Sequence, residues 1–141
     1  MIFKIISLFF YIAVVIINSI LGLKFLLAKS FFTYHKEVAG MNWENVDAGI
    51  QKVILAVFKI YAAGWLSTAL GILLFSVIPL GIFNFKWANY CAFSIGILFW
   101  IISLITVIYV KSMTGANTPM VGSLLAIIFL CIAFLFGLFI K

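Results

Sequence analysis

Apolar residues in this chain form four long runs, at about residues 5–27, 53–80, 87–110 and 120–140. Each run has the ~20 residues that a helix needs to cross the hydrocarbon core of a bilayer. The runs are continuously apolar rather than alternating, which excludes the strands of a membrane barrel. A helix also satisfies its own backbone hydrogen bonds in hydrocarbon. The sequence therefore predicts an all-α fold, an integral membrane four-helix bundle that forms one transmembrane domain over residues 1–141.

One long polar segment interrupts this pattern at residues 28–49. Within it, Ser30–Gly49 holds all three acidic residues and the single histidine of the chain. Its first part, up to Gly40, is predicted to be irregular. Binding residues often lie on loops that a rigid scaffold positions, so we expect ligand or partner contacts in this segment and in the helix that leaves it. The candidate residues are His35, Glu37, Trp43, Glu44 and Lys59.

The second helix is predicted to be longer than the membrane is thick. Asn42 is a suitable N-cap, Asn45 is a rival three residues later, and no proline follows until Pro79. A helix over residues 43–78 would be about 54 Å long, whereas the hydrocarbon core measures about 30 Å. We expect this helix either to project from the membrane or to bend at the interface. The glycines that favour a bend are Gly49 and Gly64.

Small residues recur at helical spacing in the second span and predict close contacts between helices. They form two pairs with three residues between their members, Gly64/Thr68 and Ser67/Gly71. Asn18, at the middle of the first span, is expected to face the bundle and to bond to Ser67 or Thr68. Packing within one bundle and a dimerisation face both stay open for these residues.

The composition is that of a membrane protein. Of the 141 residues, 67% are hydrophobic and 9% are charged, whereas a soluble domain has about 25% charged residues. The net charge of +6 comes from lysines scattered near the span ends. This spacing argues against nucleic-acid binding and is typical of lysines that reach anionic lipid head groups. Expected partners are membrane lipids, and also another membrane protein or a second copy of this chain. Most of the tryptophans and tyrosines in and beside the spans lie towards span ends, which is typical of an interfacial aromatic belt. The tryptophans interpreted in this way are Trp65, Trp87 and Trp100.

The four spans contain no Asp or Glu. Proton-coupled pumps and small multidrug antiporters use a carboxylate within the membrane, so this absence argues against both. A single histidine does not supply the ligand set of a haem or zinc site, and Cys91 and Cys131 lie in apolar runs without CxxC spacing. We predict no metal, no cofactor and no catalytic residue. An enzyme acting on lipid or quinone, with His35 and the carboxylates at the interface, stays open as a third alternative.

The stretches YHKEVAGMNWENVDAGIQ and FKIYAAGWLSTALGILL resemble a group of small bacterial four-helix membrane proteins without an assigned activity. Members carry a comparable loop with a histidine and a tryptophan, before a second helix rich in Gly and Trp. The resemblance covers Tyr34–Leu74. In size and number of spans the chain is also similar to the DoxX-like group. These resemblances imply a bacterial multi-pass membrane protein but no particular reaction.

Two functions are expected. The first is a non-catalytic subunit, assembly factor or lipid-associated accessory protein that meets its partner through residues 30–49. The alternative is a small oligomeric transporter or channel with a hydrated path. The residues that would line such a path are Asn18, Ser67, Thr68, Ser94, Ser103 and Thr106.

The expected location is the inner membrane, with both termini on one side because the number of spans is even. Counting lysines alone favours a cytoplasmic polar segment. All three acids lie in that segment, however, whereas the terminal side carries none and begins with Lys4. We therefore expect both termini to be cytoplasmic. A reporter fused at Lys141 tests this orientation.

Overall fold

The structure is a computed structural model that describes residues 1–140, so Lys141 lies outside it. None of the described residues lies in a β-strand. The helices are α1 (Ile2–Leu26), α2 (Thr33–Ala39), α3 (Ala48–Phe75), α4 (Lys86–Thr114) and α5 (Met120–Leu138). A 3₁₀ turn at Trp43–Asn45 precedes α3, and a π-helical segment at Ser76–Ile82 continues it.

Four of these helices are long and apolar enough to cross a membrane: α1, α3 with its π segment, α4 and α5. The four apolar helices predicted from the sequence are therefore confirmed, and they fit a multi-pass membrane protein. Helix α1 packs against α3 and α5, and α4 packs against the same two helices. Helix α3 and its π segment cover 35 residues, or about 52 Å at the rise of an α-helix.

The polar segment is more regular than the sequence predicts. Residues up to Gly40 were expected to be irregular, but Thr33–Ala39 form a helix. Gly40 ends this helix at φ +64°, a left-handed conformation that favours glycine because it has no Cβ. The chain thus gains a fifth helix that hydropathy alone does not indicate.

The start of α3 is also different from the prediction. Its N-cap is Asp47, whose Oδ1 accepts hydrogen bonds from the backbone N–H of Gly49 at 2.8 Å and of Ile50 at 3.2 Å. The predicted caps Asn42 and Asn45 are wrong, because they belong to the preceding 3₁₀ turn and make no such bond. A carboxylate is the better cap here, since it satisfies two free N–H groups and meets the positive end of the helix dipole.

The irregularity in the second long helix lies at its end rather than at Gly64, through which α3 runs unbroken. Pro79 lies within the π segment. Proline has no N–H to donate and crowds the preceding turn. The wider π turn accommodates it, and Phe83 donates its N–H to the Ile78 carbonyl at 3.3 Å.

A buried polar network joins three of the long helices. The Tyr11 hydroxyl of α1 donates to Asn89 Oδ1 of α4 at 2.8 Å, and Asn89 Nδ2 donates to the Phe134 carbonyl of α5 at 3.0 Å. Ser7 donates to the Ala133 carbonyl at 2.7 Å. These bonds pair polar groups that would be costly to leave unpaired in an apolar environment. Sequence analysis did not single out Asn89, because one amide in the first turn of a span has no distinguishing pattern.

The predicted packing residues lie in different environments. Thr68 is buried and donates to the Gly64 carbonyl at 2.8 Å, so it bonds within its own helix. Ser67 is exposed on the outer face of α3. Asn18 is fully buried, yet neither of its amide atoms has a partner, so the expected bond to Ser67 or Thr68 is not formed. Gly71 lies against Ile95, at 3.3 Å from the place of an added Cβ.

Candidate functional site

A cavity of about 590 Å³ lies where the end of α1 and the starts of α2 and α5 meet α3 and α4. Its wall draws on all five helices and on the residues just before α2 and α5. The lining residues are Ile17, Leu21, Lys24, Phe25, Phe31, Phe32, Thr33, Tyr34, Tyr61, Trp65, Trp100, Ser103, Val107, Pro119, Gly122 and Ser123. Small-molecule sites commonly measure about 300–1,000 Å³. The cavity therefore has the size of a ligand site.

Helix α2 closes one side of this cavity, and aromatic rings hold it in place. The His35 ring stacks on Phe58 of α3 with centroids 4.7 Å apart, and the Phe32 ring stacks on the same ring at 5.8 Å. Phe58 itself is buried. Seven residues are too few for a stable isolated helix. We infer that contact with α3, rather than helix propensity, keeps α2 folded.

A hydrogen bond joins α2 to the connection between α4 and α5. Glu37 Oε2 accepts from the backbone N–H of Asn117 at 3.0 Å. Asn117 lies in the connection between α4 and α5, two residues before Pro119 of the cavity wall. Helix α2 is therefore fixed to α3 by aromatic packing and to the α4–α5 connection by a carboxylate.

His35 is held among aromatic rings without a polar partner. Its Nδ1 has no hydrogen-bond partner, and the rings of Tyr34 and Phe32 lie 3.9 and 5.4 Å away, in addition to Phe58. Burial lowers the pKa of the His35 imidazole from 6.5 to about 4. The imidazole is therefore neutral in the docked helix at neutral pH, because its charged form would lose hydration without gaining a partner.

Acidification is expected to loosen α2. Between about pH 6.5 and pH 4, an undocked α2 binds a proton at His35 that the docked helix does not, so docking weakens as the pH falls through this window. We expect hydrogen-exchange protection at residues 33–39, corrected for intrinsic rates, to be roughly tenfold lower at pH 5 than at pH 7. The loss is smaller than the full pKa shift implies, because the ring is partly exposed and water screens its charge. In His35→Phe, which keeps a ring but cannot titrate, this pH-dependent loss should be absent. Protection that is equal at pH 7 and pH 5 in the unmodified chain would contradict the prediction.

Two buried tryptophans form the inner wall of the cavity. Trp65 of α3 and Trp100 of α4 are 3% and 2% exposed, and their rings pack edge to face with centroids 4.8 Å apart. Neither indole Nε1–H has a hydrogen-bond partner. The interpretation of these two residues as part of an interfacial belt is wrong, since both face the interior. Because both Nε1 atoms are themselves buried, the two residues present ring carbons rather than N–H groups to the cavity.

The candidate residues from the sequence lie around the cavity, but none of them lines it. His35 and Glu37 belong to α2, and the Trp43 ring lies against Phe31 with centroids 4.8 Å apart. Glu44 is exposed in the 3₁₀ turn. Lys59 is exposed on α3, beside the inward-facing Phe58. The structure thus brings His35, Glu37 and Trp43 to the helix that closes the cavity and leaves Glu44 and Lys59 outside it.

The lining residues that sequence analysis missed come from separate helices. Lys24, Tyr34, Trp65 and Trp100 are far apart in the chain, and only the packing of α1, α2, α3 and α4 brings them to one cavity. A weak signal was present at Trp65, which stands beside Gly64 in the small-residue stretch rather than at the end of a span. Among residues 1–140, no group of three or more His, Cys, Asp or Glu side chains is placed to hold a metal ion.

Comparison of the chain with protein-family models, with curated proteins and with solved structures gives no match. The resemblance to small bacterial four-helix membrane proteins and to the DoxX-like group therefore stays a prediction.

Proposed function

We propose that this protein is a non-catalytic membrane protein that binds a lipid-like molecule in the cavity beneath α2, as a lipid-associated accessory protein or subunit. One observation carries the proposal: a ligand-sized cavity of about 590 Å³ whose lining is mostly apolar and holds Lys24 and the Tyr34 phenol. Small-molecule sites commonly combine apolar walls with a small number of polar groups.

The position of the cavity supports a ligand that comes from the membrane. Its walls are the apolar helices α1, α3, α4 and α5, and its polar side lies at the end of α1 and the start of α2. In this proposal the four long helices pack as a bundle across a bacterial inner membrane with both termini in the cytoplasm. The long α3 extends past the hydrocarbon, and the segment at residues 30–49 meets a partner protein. The ligand then lies where apolar walls and interfacial side chains meet.

The alternative of an oligomeric transporter or channel has weaker support. Of the six residues expected to line a hydrated path, Asn18, Thr68 and Ser103 are buried, whereas Ser67, Ser94 and Thr106 are exposed on the outside. The six therefore do not lie on one path through a single chain. This function therefore needs an oligomer that forms the path.

Quenching of tryptophan fluorescence tests the proposed function. In a Trp43→Phe/Trp87→Phe variant only the two buried cavity tryptophans remain, and these are shielded from bulk lipid. We expect saturable quenching in nanodiscs by a brominated single-chain amphiphile, with either dibromostearic acid or its methyl ester. The matched variant Trp65→Phe/Trp100→Phe keeps the outer tryptophans and should show only non-saturable quenching. Failure of both probes to quench the cavity tryptophans would contradict the function.

A further inference from the structure

Lys24 is the charged residue in the lining of the cavity. Its ammonium group has three donors and no acceptor. A ligand with an anionic oxygen would form a charge-assisted hydrogen bond with it.

Tyr34 adds a further donor. Its phenol lines the cavity from the first turn of α2, where burial, and then the neighbouring Tyr61, raise its pKa above the ordinary value. The phenol therefore stays protonated and keeps an O–H to donate. Tyr61 also lines the cavity, with its hydroxyl 3.4 Å from that of Ser103.

The charge around the cavity has one sign. Lys24 lines it, and no Asp or Glu does. The three acidic side chains of the chain are placed elsewhere. Glu37 accepts from Asn117, Asp47 caps α3, and Glu44 is exposed in the 3₁₀ turn. An anion in the cavity therefore meets a cation and neutral donors without a repelling carboxylate.

The apolar residues of the cavity wall indicate which kind of group is attached to the anion. Ile17 and Leu21 follow α1 inward from Lys24, and Val107 of α4 is another lining residue. Ile17 lies two turns from Lys24, about 10 Å along the helix. The wall thus passes from a charged edge, where Lys24 is exposed, to an apolar interior, which suits a molecule with one polar head and an apolar tail.

Building on the proposed function, we propose that the ligand is a single-chain amphiphile with an anionic oxygen head group, a carboxylate or a phosphate monoester. Its head binds Lys24 and the Tyr34 hydroxyl, and its tail lies along Ile17, Leu21 and Val107.

Competition between head groups on one brominated tail tests this assignment. The Trp43→Phe/Trp87→Phe variant in nanodiscs is titrated with dibromostearate and with its methyl ester at about pH 8.5, where the free carboxyl is ionised. We expect the carboxylate to bind at least about tenfold more tightly than the ester. Dodecyl phosphate and dodecanoate, added without bromine, show by displacement of the bromo probe whether phosphate or carboxylate is the preferred head.

Two lysine variants separate a local contact from general surface charge. Lys24→Met should reduce the preference for the carboxylate to about threefold or less and leave the ester unchanged. Lys52→Met removes an exposed lysine that does not line the cavity, and the preference should stay. Equal binding of acid and ester, or an equal effect of both variants, would overturn the anionic assignment while leaving the proposed function intact. Absence of binding by every probe would instead remove the proposed function itself.

Discussion

Replacement of Gly137 by alanine is expected to lower the free energy of unfolding by about 2–4 kcal/mol. Gly137 of α5 faces the side chain of Asn89 on α4, and an added Cβ would lie 2.6 Å from Asn89 Nδ2, with Cγ and Oδ1 still closer. Such an overlap forces either the Asn89 side chain or the whole of α5 to move. The cost is greater than that of ordinary overpacking, because Asn89 is the centre of the buried network.

The displaced Asn89 would lose its bonds to Tyr11 and to the Phe134 carbonyl. The Tyr11 hydroxyl keeps the Asn89 backbone carbonyl as an acceptor at 3.1 Å, whereas the displaced Asn89 amide is left without a partner among apolar helices. Reversible unfolding in mixed micelles measures the change. Gly122→Ala is the matched control on the same helix, where an added Cβ meets no atom within 4 Å, and its effect should be within about 0.5 kcal/mol.

A double-mutant cycle measures the coupling between Gly137 and Asn89 directly. In an Asn89→Ala background the amide that blocks the new Cβ is absent, so Gly137→Ala should cost less than about 1 kcal/mol. The cycle would then show a coupling of about 1–3 kcal/mol between the two positions. Additive effects of the two substitutions would contradict the contact on which the prediction rests.

Introduction of phenylalanine at Ser123 is expected to weaken ligand binding by roughly a hundredfold. Ser123 lies in the first turn of α5, is 3% exposed and lines the cavity. A benzyl group at this position takes up space that the ligand needs. Saturable quenching by the brominated probes measures the loss.

Ser94→Phe is the matched control for this substitution. Ser94 is exposed on the outer face of α4 and does not line the cavity, so binding there should stay within about twofold. Thermal unfolding distinguishes a filled cavity from a damaged fold. If Ser123→Phe folds as the unmodified chain does and still binds the probe normally, the cavity is not the binding site.

The sequence predicts the four long helices well, because about 20 continuous apolar residues have few other structures open to them in a membrane. It does not predict α2, whose seven residues are held in a helix because the rings of His35 and Phe32 stack on Phe58. Local preference also misplaced the start of α3. Asn42 and Asp47 are both good caps by residue type, and only the path of the chain through the 3₁₀ turn decides between them.

The candidate site was predicted in part. The polar segment does lie beside the cavity, through Thr33 and Tyr34, because a connection between two spans must run along their ends. The inner wall was not predictable, since Trp65 and Trp100 meet only after α3 and α4 pack. A tryptophan near the end of a span is typical of the interface, and hydropathy does not tell which way such a ring faces.

The weak attachment of α2 has a consequence for how fast the cavity exchanges its contents. None of the residues in α2 is fully buried, and the helix is held by ring contacts and by the Glu37–Asn117 hydrogen bond. Opening of such a segment requires far less free energy than separation of the four long helices. Residence time of a bound molecule would then be set by the seven residues of α2. Substitutions there would change the rate of release while leaving the thermal stability of the membrane helices almost unaltered.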